Sequence, residues 1–556
     1  MNTPRRRRAP LVLAIGTALL TTTACFGGAG QSSQDQQGGT ADDTGSSAAP
    51  VDEGDPVPGG VLEMATPSDA RSLDPHREAS YNTHAAIGSV YSRLTAFKTG
   101  PDVPYGTTDV EGDLAEDWES NEEATEWTFN LREGVKFHDK PPVNGREFTS
   151  ADVVCTMERI QTLPGHQLTL ISDVSEISTP DDYTVIFKLN SPNVAFDRTM
   201  ANPFLAILPC EGTNGDFDLD TDAIGTGSFV LDSWTRDRER TLSKNEDYFV
   251  EGQPYLDGYH VTIMADAQSQ AAALRSGKLN IMTALSTDSR QVESLLNQVD
   301  GLRLLQEGGT TQTRVYLNVN EEPFDDLRVR RAVAHAIDRE GMIEGMRAGG
   351  SLTGPVTPSF GGALSSEEVA ELTPYDPDLA KELLAEAGYP DGFSVEMKVT
   401  DGYGETVVRE AQWVQQDLAE IGIDVEIKIE DYATYYGDSW AQQNYVIAYG
   451  LQTPMLSADE YLTSEYLSDG GRNWNGVNDP QLDEMIKEQR TISDPEERDE
   501  KLKEIQRYII TEVASPLTLY VYDGQTLLTG DVKGYYPHPD YSSREYMNIW
   551  LDDGGE

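Results

Sequence analysis

The chain has 556 residues, of which 38% are hydrophobic and 25% are charged, so it is long enough for two or three lobes with apolar cores. Asp and Glu number 95 against 42 Lys and Arg, which gives a formal net charge of -53. Such a surface repels phosphate backbones and anionic lipid headgroups. Nucleic acid is therefore excluded as a partner, and so is docking on a membrane through a basic patch.

The N-terminus carries an export signal. The four arginines 5–8 precede an apolar run, 9–20, and a stretch of small residues that ends at Cys25. The apolar run has about 12 residues, whereas a membrane-spanning helix needs roughly 20, so residues 1–24 are predicted to be a signal peptide. Small residues that end at a Cys resemble a bacterial lipobox. This resemblance implies that Cys25 is acylated and anchors the protein on the outer face of the cell membrane; the alternative is a secreted protein with a free Cys25.

Residues 25–58 are predicted to be a disordered tether, because they consist largely of Gly, Ser, Gln, Asp and Pro. Beyond it, the chain has two more cysteines, Cys155 and Cys210. Two cysteines in an oxidising compartment are usually paired, so a disulfide between them is expected. The alternative is a pair of buried free thiols.

The folded body alternates strand and helix patterns. Period-two alternation indicates strands, whereas apolar residues three and four apart indicate helices. The predicted strands are 60–65, 126–131, 183–189, 424–429 and 445–450, and the predicted helices begin at 150 and cover 326–347, 376–387, 405–421 and 495–513. The pattern indicates a mixed α/β protein with more than one lobe.

Catalytic motifs are absent from the sequence. It contains no P-loop, no GxSxG elbow, no HExxH and no CxxC, so we expect no enzyme activity, no cofactor and no metal site. Four aspartates alternate between 216 and 222, but Thr221 and Gly227 stand where a calcium loop needs Gly and Glu. A solvated acidic loop is the better interpretation.

A set of motifs, in a fixed order, carries a family resemblance. They are 72–76 (SLDPH), 114–118 (LAEDW), 127–138 (WTFNLREGVKFH), 148–153 (FTSADV), 225–229 (GTGSF), 245–248 (NEDY), 254–258 (PYLDG), 316–320 (YLNVN), 329–338 (VRRAVAHAID), 375–377 (YDP) and 382–390 (ELLAEAGYP). Across about 58–525 the sequence resembles the peptide/nickel class, family 5, of the solute-binding proteins of ABC importers.

The resemblance implies a fold and a division of the chain. The expected fold is α/β, a two-lobed clamp like the periplasmic binding proteins (type II, large class with an extra subdomain). The implied segments are lobe one at 59–310 and 517–556, an extra subdomain at about 91–214, and lobe two at 311–516. Closure of the lobes would bury the solute. The protein would act as a monomer and deliver its solute to an ABC permease driven by ATPase subunits.

The resemblance also implies where the solute binds. One group follows the turn at Asp74-Pro75, and the other belongs to the lobe-two loop that starts near Tyr449. The implied ligand-binding residues are Ala79, Ser80, Tyr81, Asn82, Tyr449, Gly450, Leu451 and Gln452. Asp459 and Trp474 are further candidates; the alternative for Trp474 is a packed structural Trp. In peptide binders this loop carries an Asp that grips the peptide amine. Here Pro454 occupies that position.

The family resemblance specifies the class of solute less directly than it specifies the fold. Peptide is the default, and a nickel chelate, haem, an oligosaccharide or another organic compound is the alternative within the family. Because of Pro454 we expect an apolar or aromatic-rich ligand, or a peptide held through its backbone; alternatively, Asp459 or a lobe-one acid supplies the missing charge. A secreted lipoprotein hydrolase and a non-transporting lipoprotein, a sensor or chaperone, are alternatives of other classes.

Overall fold

The structure is a computed structural model that describes residues 53–77, 80–283, 289–347, 349–452, 454–492 and 494–552. The signal peptide, Cys25 and Ala79 lie outside the described residues. No helix of the described segments is long and apolar enough to cross a membrane. The predicted tether is too long at its C-terminal end, because Glu53 already binds lobe one: its carboxylate accepts hydrogen bonds from Arg303 at 2.9 Å and from the backbone of Gly534 at 2.7 Å.

Lobe one is built on a seven-stranded mixed sheet. In spatial order its strands are Arg303–Glu307, Gly524–Leu528, Ile281–Thr283, Val61–Thr66, Gly258–Ile263, Glu239–Lys244 and Phe229–Thr235. The central strand, Val61–Thr66, pairs in parallel with the strands on both sides. It is therefore buried at the middle of the sheet, and the chain that follows it emerges at the sheet's carboxyl edge.

Lobe two is built on a six-stranded sheet. In spatial order its strands are Gly350–Ser351, Leu517–Tyr522, Gln312–Leu317, Ile447–Leu451, Phe393–Thr400 and Ile423–Glu430. The helix Glu405–Glu420 packs on this sheet, because Val407, Ala411, Val414 and Leu418 recur at the helical period and are all buried.

The subdomain is a four-stranded antiparallel sheet. Its strands, in spatial order, are Ala115–Ser120, Glu126–Leu131, Thr184–Leu189 and Val174–Asp181. Cys155, on the helix Ser150–Thr162, forms a disulfide with Cys210, with an S–S distance of 2.02 Å. Arg146 lies beside this bridge and binds the carboxylates of Asp152 and Glu211, each at 2.6 Å.

The remaining elements are mostly helices. The α-helices are Tyr81–Ile87, Ser150–Thr162, His166–Leu170, Phe196–Thr199, Cys210–Asn214, Ala267–Arg275, Ser289–Gln298, Leu327–Ala336, Arg339–Met346, Ser366–Leu372, Pro377–Glu386, Glu405–Glu420, Tyr432–Thr434, Ala458–Glu465, Pro480–Gln489 and Pro495–Tyr508. Short 3-10 turns are Pro203–Leu205 and Arg544–Asn548, π-helical turns are Tyr435–Trp440 and Ile509–Val513, and two-stranded ribbons are Thr95–Phe97 with Val110–Gly112 and Val532–Lys533 with Trp550–Leu551.

The predicted helix over 326–347 is two helices, not one. Ile337 takes an extended conformation with φ -96° and ψ 120°, and the carboxylate of Asp338 accepts a hydrogen bond from the backbone of Gly341. An Asp at this position caps a new helix, so the chain turns although the apolar period continues.

The chain crosses between the lobes twice, along two adjacent strands. The first crossing leaves lobe one after Glu307 and enters the lobe-two strand at Gln312. The second lies at Asp523, because the strand Leu517–Tyr522 still pairs with lobe two. The predicted return at 517 is therefore six residues too early; an edge-to-edge pairing between distant strands leaves no signal in the local sequence.

Candidate solute-binding cleft

The two lobes meet in a seam that polar contacts hold closed. Oε1 of Glu460, in lobe two, accepts hydrogen bonds from Nε2 of His166 at 2.9 Å and from Nδ2 of Asn202 at 3.1 Å. Arg490 reaches across to Asp173 at 2.6 Å. All five of these interacting groups are buried or half-buried, so the contacts belong to a closed clamp and not to a loose encounter of surfaces.

The lobe-two loop with Pro454 takes part in this seam. The hydroxyl of Tyr541 donates a hydrogen bond to the carbonyl oxygen of Pro454 at 3.4 Å. Leu456 packs against Phe97 and Ala201 on the other side of the seam. The loop is apolar, as its sequence indicates, and its contacts with the other side of the seam help to hold the lobes together.

Tyr81 is partly exposed and lies near the seam between the lobes. It begins the helix Tyr81–Ile87 and exposes 41% of its surface. Burial nevertheless raises the pKa of its hydroxyl to about 12, and the carboxylate of Glu545 adds to the rise. The hydroxyl of Tyr81 therefore lies within electrostatic reach of Glu545. Its ring centroid lies 5.4 Å from that of Tyr541, which connects it to the seam.

Two acids of lobe one, Glu545 and Glu307, lie within electrostatic reach of each other. Glu545 is 5% exposed, and its Oε2 has no hydrogen-bond partner within the described part of the chain. Burial raises the pKa of Glu545 to about 8, and the negative charge of Asp540 contributes. Burial alone raises the pKa of Glu307 to about 8. Two carboxyl groups that are desolvated in this way form a site that favours an entering cation.

Tyrosines surround the two acids. Burial raises the pKa values of Tyr105, Tyr535 and Tyr546 well above normal, and the charges of Glu545 or Glu307 contribute to each rise. Thr310, at the crossing between the lobes, acts on the pKa of Tyr105 in the opposite direction. The lobe-one wall therefore combines flat aromatic surface with two carboxyl groups.

A second aromatic cluster lies in lobe two, where the sequence analysis predicts the other wall of the cleft. Trp474 lies edge-on to Trp440 at 4.6 Å and to Tyr436 at 5.6 Å. Tyr403 and Tyr432 pack against the same cluster and are partly exposed. Of the residues predicted from the sequence, Trp474 is the lobe-two residue in this cluster.

The predicted lobe-one residues divide by role. Tyr81 is partly exposed, whereas Ser80 is buried and its hydroxyl caps the helix by accepting from the backbone of Thr83 at 3.5 Å. Asn82 donates to Oγ of Ser68 at 2.9 Å and so ties the helix to the preceding loop. These two side chains position Tyr81.

Several predicted lobe-two residues do not reach the cleft. Tyr449 is fully buried, and its hydroxyl donates to Glu410 in the lobe-two core at 3.1 Å. Gly450 and Leu451 belong to the strand that pairs with Gln312–Leu317. Alternation along a strand sends successive side chains to opposite faces, so the sequence alone could not decide which of them points outward.

Gln452 and Asp459 have other partners. Gln452 donates to Oε1 of Glu465 at 2.7 Å and is buried. Asp459 accepts from Gln489 and lies 3.4 Å from Arg490. Neither residue therefore takes the role of the Asp that grips the peptide amine in peptide binders, at the position that Pro454 occupies here. The sequence analysis missed Glu307 and Glu545, because an unpaired Glu carries no local signal in so acidic a chain.

The family model of the bacterial extracellular solute-binding proteins, family 5, matches residues 109–474. The chain belongs to this family. Its members bind solutes for ABC import and are not a family of enzymes. The predicted recognition and the two-lobed fold are thereby confirmed.

Proteins that are similar to this chain are named for different solutes. It is 29% identical to di/tripeptide-binding protein 2 of Pseudomonas aeruginosa, covering 88% of this chain and 95% of the relative. It is 28% identical to heme-binding protein A of Haemophilus influenzae, covering 83% and 86%. The periplasmic binding protein DppA of Helicobacter pylori, solved with the peptide STSA, superimposes with a TM-score of 0.78 at 26% identity, covering 89% and 98%.

Proposed function

We propose that this protein captures a peptide or peptide-like solute outside the cell and delivers it to an ABC permease. The observation that carries the proposal is the buried carboxyl group of Glu545, whose Oε2 has no hydrogen-bond partner within the described part of the chain and whose charge acts on Tyr81. An entering ammonium group would offset the desolvation of this carboxyl group. The peptide named with one relative and the di- and tripeptides named with another agree with such a solute. The protein acts by binding alone and works as a monomer.

The amine of the solute would bind lobe one in this proposal. Pro454 has neither a side-chain charge nor a backbone N–H, so its loop cannot grip an amine through a carboxylate. Glu545 and Glu307 supply the charge from the opposite lobe. The other charges around Glu545 are those of Asp540 and Arg93.

Calorimetry with trialanine and N-acetyl-trialanine tests this assignment. We expect Glu545→Gln to weaken trialanine binding about tenfold or more, because a charge-assisted hydrogen bond is lost. Glu246→Gln, an exposed acid of lobe one, is the matched control and should change nothing. Equal binding of the acetylated peptide would refute the amine assignment. Native mass spectrometry that finds no bound solute, together with a peptide library without binders, would refute peptide capture itself.

We also propose that the protein is anchored through a lipid on Cys25. The lipobox-like sequence supports this, as does the absence of a membrane-crossing helix from the described residues. Cys25→Ala should release the protein into the medium, as fractionation and immunoblotting would detect. A variant that stays in the membrane fraction would contradict the anchor.

A further inference from the structure

His166 lies in the seam between the subdomain and lobe two, and its two ring nitrogens differ in their surroundings. Nε2 lies 2.9 Å from Oε1 of Glu460. Because a carboxylate oxygen accepts, Nε2 carries the proton of the neutral ring and donates it. Nδ1 is buried and has no hydrogen-bond partner among the residues that the structure describes. The neutral ring therefore uses its one donor and leaves only a lone pair at the other nitrogen.

A second proton on this ring would find no acceptor within the described part of the seam. An imidazolium donates from both nitrogens, so proton uptake at Nδ1 would create a buried, charged donor without a partner. His166 is 2% exposed, so water does not reach this nitrogen in the closed form. The ring of Phe204 stands perpendicular to that of His166 with the centroids 4.9 Å apart, which adds apolar surroundings. The closed seam therefore disfavours the protonated ring.

The charges that act on His166 come from both sides of the seam. In lobe two, Glu460 and Glu465 favour its protonation, whereas Arg472 opposes it. In lobe one, His84 is buried and interacts electrostatically with His166, and each ring disfavours the charged form of the other. Burial is the largest effect and lowers the pKa of His166 below the ordinary value of 6.5.

The other charged groups near His166 are bound to one another. Glu465 binds Arg314 at 2.6 Å. The remaining pairs are Arg490 with Asp173 and Asp459 at the seam, and Arg159, on a helix that packs against the segment of His166, with Asp74. These carboxylates are therefore engaged with arginines, and Glu460 is the acid that binds His166 directly.

Separation of the lobes removes the obstacle to protonation. His166 and Glu460 lie on opposite sides of the seam, so opening exposes Nδ1 to water, which accepts hydrogen bonds. The open form then takes up a proton near the ordinary pKa of 6.5, whereas the closed form resists it. The form that binds more protons gains stability as the pH falls. Closure is therefore favoured above pH 6.5, and this advantage is lost as the pH falls below that value.

We propose that the contact between His166 and Glu460 is a pH-sensitive switch, which holds the lobes together at neutral pH and lets them separate in mild acid. This goes beyond solute capture, because it sets the conditions under which a captured solute is retained. Nδ1, for which the described residues provide no partner, determines the direction. If both ring nitrogens faced carboxylates, acid would strengthen the contact and favour closure instead.

Small-angle X-ray scattering of the solute-free mature protein at pH 7.5 and 5.5 tests the switch. We expect the radius of gyration of the wild type to be larger at pH 5.5, with an unchanged far-UV circular dichroism spectrum. His166→Gln should show the same radius at both pH values, because its amide can still donate to Glu460 but takes up no proton. His138→Gln is the matched control: His138 is also buried, but its ring nitrogens contact the backbone of Gly225 and Gly227 and not the seam. This variant should respond as the wild type does.

Calorimetry with trialanine at the same two pH values measures the effect on affinity. The loss of affinity from pH 7.5 to 5.5 should be about tenfold greater in the wild type than in His166→Gln, as expected for one group of pKa 6.5 that is protonated only in the open form. Comparison with His166→Gln removes the pH dependence that Glu545 or the peptide amine contributes to both proteins.

Three scattering results would overturn the switch: a wild-type radius that stays constant, one that falls in acid, or an equal increase in His166→Gln. If His166→Gln does not fold, the wild type decides alone, because a constant or smaller radius at pH 5.5 contradicts the proposal and a larger one with an unchanged circular dichroism spectrum supports it. Scattering is measured without solute, so a failure of trialanine to bind would count against the proposed function and not against the switch.

Discussion

Nε2 of His166 lies 2.9 Å from Oε1 of Glu460, and this hydrogen bond joins the subdomain to lobe two. Both side chains are almost completely buried. Glu460 also accepts from Asn202 and, through Oε2 at 2.8 Å, from the backbone of Leu456. One carboxylate therefore collects three donors, two of them from across the seam, and it stabilises the closed clamp in this way.

Glu460→Gln should weaken closure. The amide can keep one oxygen acceptor, but its NH2 group would face a donor, and the loss of a buried charge-assisted bond costs about 1–3 kcal/mol. We expect a larger radius of gyration in small-angle X-ray scattering than for the wild type. Glu484→Gln, an exposed change on the lobe-two helix Pro480–Gln489, is the control. Identical scattering of wild type and Glu460→Gln would show that this contact does not hold the lobes together.

The disulfide between Cys155 and Cys210 should stabilise the subdomain. The two cysteines are 55 residues apart, and a closed loop of this length corresponds to about 4 kcal/mol on the chain-entropy model. The double variant Cys155→Ala/Cys210→Ala should unfold at a lower urea concentration, by an amount consistent with several kcal/mol. Thiol titration of the denatured, unreduced wild type is the companion measurement; two reactive thiols besides Cys25 would contradict the bridge.

The sequence predicted those parts of the fold that local patterns determine. The strand Glu126–Leu131 and the helix Glu405–Glu420 were predicted almost to the residue, because alternation, helical period and a terminal glycine mark their limits. The sequence did not predict the break at Ile337. It also did not predict that the chain returns to lobe one only after the strand Leu517–Tyr522. The first depends on a cap that competes with an unbroken apolar period, and the second on pairing between strands far apart in sequence.

The candidate site was less predictable than the fold, because it too depends on contacts between residues far apart in sequence. Tyr81 and Trp474 were predicted from the sequence as cleft residues, and this remains a prediction: Tyr81 is partly exposed, and Trp474 packs against the aromatic cluster of lobe two. Glu545 matters because its Oε2 has no hydrogen-bond partner among the described residues after folding, and a missing partner cannot be seen in a sequence. Tyr449 was misplaced because its strand is buried on both faces.

His138 makes stability depend on pH. Its Nε2 donates to the carbonyl oxygen of Gly227 at 3.1 Å, and its Nδ1 accepts from the backbone of Gly225 at 3.4 Å, so the ring is neutral. Burial lowers its pKa from 6.5 to about 4. The unfolded chain therefore binds more protons between these values, and stability falls as the pH falls from about 6.5 to 4. The contribution of His138 is about 3 kcal/mol.

Urea denaturation at several pH values would measure this effect. The wild type should lose stability below pH 6.5, and His138→Gln, which cannot take up a proton, should show a smaller loss over the same range. His335→Gln is the control, since His335 is partly exposed on a lobe-two helix. An equal acid slope for wild type and His138→Gln would refute the assignment.

The crossing between the lobes depends on a glycine. A Cβ on Gly309 would lie 1.9 Å from the carbonyl oxygen of Tyr522, on the second crossing strand, whereas a Cβ on Gly308 would meet nothing closer than Oγ of Ser359 at 3.8 Å. Gly309→Ala must therefore push the two crossing strands apart, at a cost of about 1–3 kcal/mol. Gly308→Ala should be close to neutral. Because both crossings would move in Gly309→Ala, solute affinity should fall together with Tm, as calorimetry and thermal unfolding would show. Equal Tm and affinity for the two variants would mean that the crossing strands can separate without effect on closure.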